Sequence, residues 1–116
     1  MKNLYLWNLN PKYLMPKKFY ITTPIYYPSA KPHMGHAYSS IIADFLARFK
    51  RIDGYEVHFL TGTDEHGLKI QKSAEKQNID TLKFCNQISQ TFRDLSKTLN
   101  LSNTDFIRTT EDRHKK

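Results

Sequence analysis

The chain has 116 residues, of which 39% are hydrophobic, 13% aromatic and 25% charged, a composition typical of one small globular domain rather than a fibrous or disordered chain. Its longest charge-free stretch near the front, residues 19–30, contains two prolines and is far shorter than the ~20 apolar residues of a membrane span. The net charge is +7, but residues 1–18 contribute +4 and residues 111–116 contribute +1. The charge of residues 19–110 therefore gives little support for DNA binding.

The first predicted elements are a strand and a helix. Residues 19–23 are β-branched and aromatic and precede Pro24, which is typical of a buried strand. A helix is expected to follow and to end at residue 52, with Gly54 as its C′ glycine. Five apolar side chains within residues 37–52 share one helical face, which we expect to lie on the core: Ile41, Ile42, Phe45, Leu46 and Phe49. Three charged side chains are expected to point away from it: Asp44, Lys50 and Arg51.

The same alternation continues to the end of the chain. A strand is predicted over residues 56–61, a short helix over residues 68–77, and a third strand over residues 105–108. Between the last two, Asp80 is expected to cap a helix. That helix has a regular apolar stripe: Phe84, Cys85, Ile88, Phe92, Leu95 and Leu99. Strands alternating with helices imply parallel pairing through right-handed crossovers, so the predicted fold is α/β, the N-terminal part of a doubly wound parallel sheet.

The ends of the sequence bear on domain organisation and location. Residues 1–14 carry no structural pattern and are expected to be a disordered extension. Three strands would leave exposed sheet edges and little core, so we expect residues 15–116 to be a piece of a larger domain. The lone cysteine, Cys85, has no disulfide partner, which favours the cytoplasm. Residues 1–18 are basic and free of acids, which keeps mitochondrial targeting as the less favoured alternative.

The segment Pro32-His33-Met34-Gly35-His36 lies between the first strand and its helix. In parallel sheets ligands bind beyond the carboxyl ends of strands, and a helix N-terminus attracts phosphate. His33 and His36, three residues apart, place their imidazoles on the same side of the turn, where they can donate to phosphate oxygens. Gly35 leaves room for a flat base against the backbone. The alternative is that His33 merely caps the helix and His36 is a surface residue.

A second polar segment, residues 61–67, follows the second strand and should reach the same edge of the sheet. The Asp64 carboxylate can pair with an ammonium group, and His66 can bind or polarise a neighbouring group. The alternative is that Asp64 caps the next helix and Gly67 eases a turn. Because no third metal ligand accompanies this pair, no metal site is predicted. The prolines around Tyr26 and Tyr27 fit either a pocket wall or core packing.

Together these segments resemble one known family. Residues 19–27 and 32–38 resemble the first signature of the methionyl-tRNA synthetases, in which His-x-Gly-His marks the class I ATP site. Residues 59–67 resemble the block that distinguishes the methionine enzymes from their isoleucine, leucine, valine and cysteine relatives. Residues 105–116 resemble the run that leads towards the connective insertion. The resemblance covers residues 19–116 and implies a Rossmann-like class I nucleotide-binding fold.

The resemblance also implies site residues. His33 and His36 would be catalytic and contact the ATP phosphates, and Gly35 would lie under the adenine. For methionine, Tyr27 would pack on its side chain, Ile25 would meet it through the backbone, and Asp64 would receive its α-ammonium group. Many relatives have asparagine at the position of Ser29 and a small or acidic residue at that of Lys31, so the loop before the histidines differs in detail.

The implied activity is that of a methionine–tRNA ligase. Methionine would be activated with Mg²⁺ and ATP to methionyl-adenylate and then transferred to tRNA(Met), with no membrane or DNA partner. The family's Lys-Met-Ser-Lys-Ser-type loop and its anticodon-binding domain have no counterpart in these 116 residues, so we expect the chain to hold a half-site and to be inactive alone. Any zinc knuckle of the family would lie in the connective insertion, beyond residue 116.

Three alternatives stay open from the sequence. A small nucleotidyltransferase also uses His-x-Gly-His at a helix start and can be as short as this chain. A non-catalytic RNA-binding synthetase paralogue would bind with a steep salt dependence and no response to methionine or ATP. The chain could also be a partial gene product without activity.

Overall fold

The computed structural model describes residues 15–116, in which strands and helices alternate as predicted. The elements are β1 (Lys18–Thr22), α1 (Met34–Ile52), β2 (Glu56–Thr63), α2 (Leu68–Lys76), α3 (Thr81–Thr98), β3 (Asp105–Arg108) and α4 (Asp112–Lys115). β1 begins and ends one residue earlier than predicted, β2 runs two residues further, and α4 was not predicted. The predicted extension over residues 1–14 lies outside the described residues.

The three strands form one parallel sheet in the order β1-β2-β3. The middle strand β2 pairs with both neighbours, and its register places Val57 opposite Phe19 and Thr61 opposite Phe106. Parallel neighbours in sequence order require a crossover connection between each pair, which α1 and the α2–α3 segment supply. The predicted α/β class with a parallel sheet is confirmed.

Both crossover segments pack on the same face of the sheet. Val57 and Phe59 of β2 pack against Ala43 and Ala47 of α1. Because side chains alternate along a strand, Thr61 shares this face, and so does its neighbour Phe106, which packs against Phe92 of α3. The core of the described chain therefore lies on one side of the sheet.

The opposite face of the sheet has no helix over it in residues 15–116. There Tyr20 is 60% exposed and stacks on His58, with the ring centroids 5.5 Å apart.

The face of α1 that lies on the sheet differs from the prediction. Its buried residues are small or polar: Ala37, Ser40, Ala43, Asp44 and Ala47. The large apolar residues expected in the core, such as Phe45 at 68% exposed, face outward. Periodicity shows which residues share a face but not which face meets the sheet, and small side chains let the helix backbone approach the strands closely.

Asp44, predicted to point away, is buried because α1 binds the segment before β3. Its Oδ1 accepts hydrogen bonds from the backbone N–H and the hydroxyl of Ser102, both at 2.6 Å, and its Oδ2 accepts from Arg48 Nε at 2.7 Å. Burial alone would raise the pKa of Asp44, but these donors hold the pKa below its usual value. Arg51 also does not point away, since its guanidinium donates to the Ser102 carbonyl at 2.8 Å.

The predicted helix ends and the α3 stripe are largely confirmed. Asp80 caps α3 by accepting from the Lys83 backbone N–H at 3.1 Å, and Gly54 follows α1 with φ +82°. In the stripe Phe84, Cys85 and Phe92 are buried and the other three residues are half-buried. No helix among residues 15–116 has the length and apolar character needed to cross a membrane.

The strand face under α1 and the outward side of α1 give a direct test of the packing. Replacing Phe59, which is fully buried, by alanine leaves a cavity and should lower the free energy of unfolding by about 3–5 kcal/mol. Phe49→Ala removes the same side chain from the exposed side of α1 and should cost less than about 1 kcal/mol. Urea unfolding followed by circular dichroism measures both, and equal losses would contradict the orientation of α1.

Candidate functional site

The loops that follow β1 and β2 are held together at the carboxyl edge of the sheet. The Tyr26 N–H donates to the Gly62 carbonyl at 2.8 Å, and the Asp64 N–H donates to the Tyr26 carbonyl at 2.9 Å. A Cβ on Gly62 would collide with the Ile107 carbonyl of β3, so glycine is needed where the strands approach. The loop that leads into the histidine segment and the loop that carries Asp64 are therefore joined there.

His33 and His36 lock the first turn of α1 by a reciprocal pair of hydrogen bonds. Nδ1 of His33, the N-cap residue, accepts from the Gly35 N–H at 3.0 Å, and Nδ1 of His36 accepts from the His33 N–H at 3.0 Å. The ring centroids lie 3.9 Å apart, which confirms that the two imidazoles share one side of the turn. His33 is thus also a helix cap, and capping does not exclude a second role.

These bonds determine which nitrogen of each ring can act on a ligand. An Nδ1 that accepts from an N–H carries no proton, so each neutral imidazole holds its proton on Nε2. Within residues 15–116 neither Nε2 has a hydrogen-bond partner. The turn therefore presents two N–H donors beside the positive end of a helix dipole, which suits binding of a phosphate.

His36 is held in an aromatic environment. Tyr26 and Phe92 contact its ring edge-on, at centroid distances of 4.8 and 5.1 Å. The Tyr26 hydroxyl pairs with the Ser40 hydroxyl at 2.8 Å and donates to the His36 carbonyl at 3.2 Å. Burial, and secondarily the neighbouring His33, lower the pKa of His36 below 6.5. At neutral pH His36 is an uncharged donor.

Gly35 is required by the position of His33. A Cβ at Gly35 would lie 2.9 Å from His33 Cε1 and 3.1 Å from its Nδ1, so a side chain there would displace the imidazole. The adenine contact implied for Gly35 stays a prediction.

Among the residues that the structure describes, one carboxylate oxygen of Asp64 has hydrogen-bond partners and the other has none. Its Oδ1 accepts from the His66 N–H at 3.3 Å and from the Thr109 hydroxyl at 3.5 Å, whereas Oδ2 has no hydrogen-bond partner within residues 15–116. The alternative in which Asp64 caps α2 is wrong, because the N-cap of α2 is Gly67. Asp64 thus presents an acceptor oxygen at the edge of the sheet, suited to a cationic ligand group.

Tyr27 and Ile25, the other two residues implied for methionine binding, differ in how far they are buried. Tyr27 is half-buried against the cluster of Ile70 and Ala74 in α2, and its hydroxyl occupies the space that a Cβ on Gly67 would need. Ile25 is 38% exposed. Among residues 15–116 no three His, Cys, Asp or Glu side chains are grouped closely enough to hold a metal ion.

Glu65 is a structurally important residue that the sequence analysis missed. Its side chain is 0% exposed and accepts from Arg108 Nε at 2.7 Å, from the Thr63 hydroxyl at 3.1 Å and from the Thr110 hydroxyl. Its backbone N–H donates to Thr109 Oγ1 at 2.8 Å. The available signal was an acidic residue two positions after a buried strand, with one arginine in the third strand to pair with it.

The chain is similar to known proteins in family, in sequence and in structure. Residues 19–116 match the family model described as tRNA synthetases class I (M). The chain is 59% identical over 102 residues to methionine–tRNA ligase of Rickettsia bellii, covering 88% of this chain and 20% of that protein. It is 58% identical over 97 residues to methionine–tRNA ligase of Listeria monocytogenes, covering 84% and 15%.

A solved structure gives the same result. Mycobacterium tuberculosis methionyl-tRNA synthetase, crystallised with methionyl-adenylate, superposes with a TM-score of 0.83 at 49% identity, covering 84% of this chain and 19% of that one. The predicted Rossmann-like class I fold is thereby confirmed. The chain spans a fifth or less of the length of these relatives.

The environment of His36 predicts its titration. We expect its imidazole to titrate below pH 6.5 in the folded chain, and His33→Asn, which keeps an N-cap side chain, to raise the midpoint only partly because burial is the larger cause. The unfolded chain, in which the pKa of His36 is not lowered, binds the proton more tightly than the folded chain does. Protonation of His36 should therefore lower the free energy of unfolding as the pH falls below 6.5. Proton NMR of the His36 ring measures the midpoint; a value at or above 6.5 would contradict this.

Proposed function

Because this chain belongs to the class I (M) tRNA synthetases, we propose that it carries the ATP and methionine half-site of a methionine–tRNA ligase. The observation that carries the proposal is the paired histidine cap, which directs two Nε2–H donors, without partners among residues 15–116, from the start of α1. The 49% identical Mycobacterium tuberculosis enzyme, crystallised with methionyl-adenylate, supports it.

The reaction has two steps. The methionine carboxylate attacks the α-phosphorus of ATP, forming methionyl-adenylate and releasing pyrophosphate. A ribose hydroxyl of the terminal adenosine of tRNA(Met) then takes the methionyl group and releases AMP. Mg²⁺ would accompany ATP, since it is commonly bound through nucleotide phosphates. The protein contributes mainly position and charge stabilisation to such phosphoryl chemistry.

His33 and His36 serve the first step in this proposal. Their Nε2–H groups donate to phosphate oxygens, on which charge changes as the bond to the leaving pyrophosphate breaks. The neutral imidazole of His36 suits this task because its Nδ1 can accept the capping hydrogen bond while its Nε2–H donates, and the lowered pKa of His36 keeps it in that form. The reciprocal capping bonds fix both rings before ATP arrives, so little reorganisation is needed.

Methionine would be held beside the phosphates by the loops after β1 and β2. The Asp64 Oδ2, which has no partner in the described part of the chain, would receive the α-ammonium group, while the Asp64 Oδ1 contacts with His66 and Thr109 fix the carboxylate. The Tyr27 ring would contact the methionine side chain, and the Ile25 backbone would meet the substrate. The hydrogen bonds of Tyr26 to Gly62 and Asp64 support this joint site by keeping the two loops in register.

We further propose that residues 15–116 are the first half of a class I catalytic domain acting in the cytoplasm. The match to a fifth or less of the length of full ligases supports this assignment. tRNA binding and the second half of the nucleotide site would then come from elsewhere.

The activity can be tested with a chimera. Residues 19–116 are placed in the Rickettsia bellii ligase in exchange for the matching stretch, and methionine-dependent exchange of pyrophosphate into ATP is measured. We expect the chimera to be active and the isolated chain to be inactive. In the chimera His36→Ala and His33→Asn should each lower kcat about 10²–10³-fold, the usual effect of removing one such donor.

The test needs a control variant, and three outcomes would count against the proposal. His114→Ala is the matched control, since His114 is exposed in α4, and it should leave exchange within about twofold, as most surface changes do. Equal losses in all three variants would remove the special role of the pair. Adenylyl transfer that does not depend on methionine would favour a small nucleotidyltransferase, and salt-sensitive RNA binding without exchange would favour a non-catalytic paralogue.

Asp64→Asn tests the methionine site separately. Losing the charge opposite a buried ammonium group should weaken the binding free energy of methionine by ~2 kcal/mol or more, which raises KM for methionine about 30-fold or more. KM for ATP should change little. Asp94→Asn, at an exposed position on α3, is the control. Steady-state exchange kinetics of the chimera measure both constants, and equal increases for methionine and ATP would contradict the assignment.

A further inference from the structure

A buried hydroxyl at the edge of the sheet contacts three consecutive residues of the loop after β2. Thr109, the first residue after β3, is 4% exposed, and its N–H donates to the Thr63 carbonyl at 3.2 Å. Its Oγ1 accepts from the Glu65 N–H at 2.8 Å. The same Oγ1 lies 2.8 Å from Nδ1 of His66 and 3.5 Å from Oδ1 of Asp64. Thr109 is therefore in direct contact with the loop that carries the candidate carboxylate.

The number of available protons permits one order of hydrogen bonds in which all three contacts are made. A hydroxyl has one proton to donate and two lone pairs that accept. The Glu65 N–H uses one lone pair. A carboxylate only accepts, so the Thr109 proton has to point to Asp64, and the second lone pair is left for His66. His66 must then donate, which requires a proton on its Nδ1.

The opposite arrangement would weaken the hold on Asp64. If Nδ1 of His66 has no proton, it accepts the Thr109 proton across 2.8 Å, and the Asp64 carboxylate loses that donor. The remaining donor to Asp64 is then the His66 N–H, at 3.3 Å. A single long hydrogen bond leaves the carboxylate freer to rotate, and ordering it when a ligand binds costs free energy.

We propose that Thr109 is a positioning residue for the amino-acid half of the site, and that His66 supports it by carrying its proton on Nδ1. The inference rests on the proposed function, in which the Asp64 Oδ2 receives the α-ammonium group of methionine. Thr109 acts through Asp64 and does not touch the substrate. Its contact with Asp64 is long at 3.5 Å, and hydrogen bonds at active sites often tighten only when the substrate binds.

The required tautomer of His66 suits the charge of the ligand. A neutral imidazole with its proton on Nδ1 supplies the donor that Thr109 needs without adding positive charge beside an ammonium group. His33 and His36 have the opposite tautomer, because their Nδ1 atoms accept from backbone N–H groups. Those two rings thus offer donors, which a phosphate requires, whereas Nε2 of His66 offers a lone pair, which an ammonium group requires.

The tautomer of His66 gives the first test. The full 116-residue chain is labelled with nitrogen-15 in its histidines, and the ring nitrogens of His66 are observed by NMR at a pH where the ring is neutral. We expect the proton on Nδ1, and a smaller share of that tautomer in Thr109→Val because the acceptor is removed. A proton on Nε2 in the unaltered chain would overturn the proposal. This measurement involves no substrate and does not depend on the proposed function.

Kinetics of the chimera that carries residues 19–116 in the Rickettsia bellii ligase give the second test. Thr109→Val removes the hydroxyl but keeps the branched side chain, and it should raise KM for methionine about fivefold or more, the effect of losing one hydrogen bond to a charged group. KM for ATP should change less than about twofold, since Asp64 holds the amino acid. Thr109→Ser keeps the hydroxyl and should hold KM for methionine within about twofold of the unaltered value.

Thr104→Val is the matched control, since the Thr104 hydroxyl makes a similar contact with β2 at the other end of β3. It accepts from the Phe59 N–H at 2.9 Å and donates to the Phe59 carbonyl at 3.1 Å. Both valine variants should unfold at a lower temperature, because each leaves a backbone N–H without its acceptor. Only Thr109→Val should alter KM for methionine.

Three kinetic results would overturn the proposal: an unchanged KM for methionine in Thr109→Val, equal increases for methionine and ATP, or the same increase in Thr104→Val. An unaltered chimera without methionine-dependent exchange would instead count against the proposed function, and the His66 tautomer would then decide the order of hydrogen bonds. The tautomer of the unaltered chain is equally decisive where Thr109→Val does not fold.

Discussion

The site depends on the backbone hydrogen bonds that Tyr26 makes with the end of β2. They join Tyr26 to Gly62 and Asp64 and so tie the loop that leads into the histidine turn to the loop that carries the carboxylate. The same residue packs its ring against His36 and Phe92. Tyr26, in the loop after β1, therefore contacts the start of α1, the end of β2 and helix α3. The positions of the histidine pair and of the Asp64 carboxylate depend on these contacts.

Helix capping and ligand chemistry are served by the same two side chains in this turn. An aspartate cap would satisfy the first N–H groups equally well but would leave no donor for a ligand, because an ionised carboxylate only accepts. Imidazole has two nitrogens, so Nδ1 can accept from the backbone while Nε2 donates outward. Because the capping bonds fix both the tautomer and the ring orientation, the structural role of His33 and His36 is what makes them suitable for binding phosphate.

Element order, strand pairing and the grouping of the candidate residues could be predicted from the sequence because they depend on local patterns and on the resemblance of short motifs. The orientation of α1 could not. The helix has large apolar residues on one side and Ala43 and Ala47 on the other, and the choice between them depends on how closely the helix approaches the sheet. Asp44 was misassigned for a related reason, since its partner Ser102 lies 58 residues away in sequence.

Glu65 shows how the far end of the described chain reaches the site. Its carboxylate is fully buried, and such a charge is stable only if it is paired and hydrogen-bonded, which Arg108 and Thr110 of the β3 region provide. Removing one partner of such a pair typically costs about 3–5 kcal/mol, because the other charge stays buried. Since Glu65 lies between Asp64 and His66, the formation of β3 and the position of the carboxylate at the site are energetically coupled. The third strand thus supports the site through Arg108, and the loop after β2 depends on this ion pair to keep its arrangement.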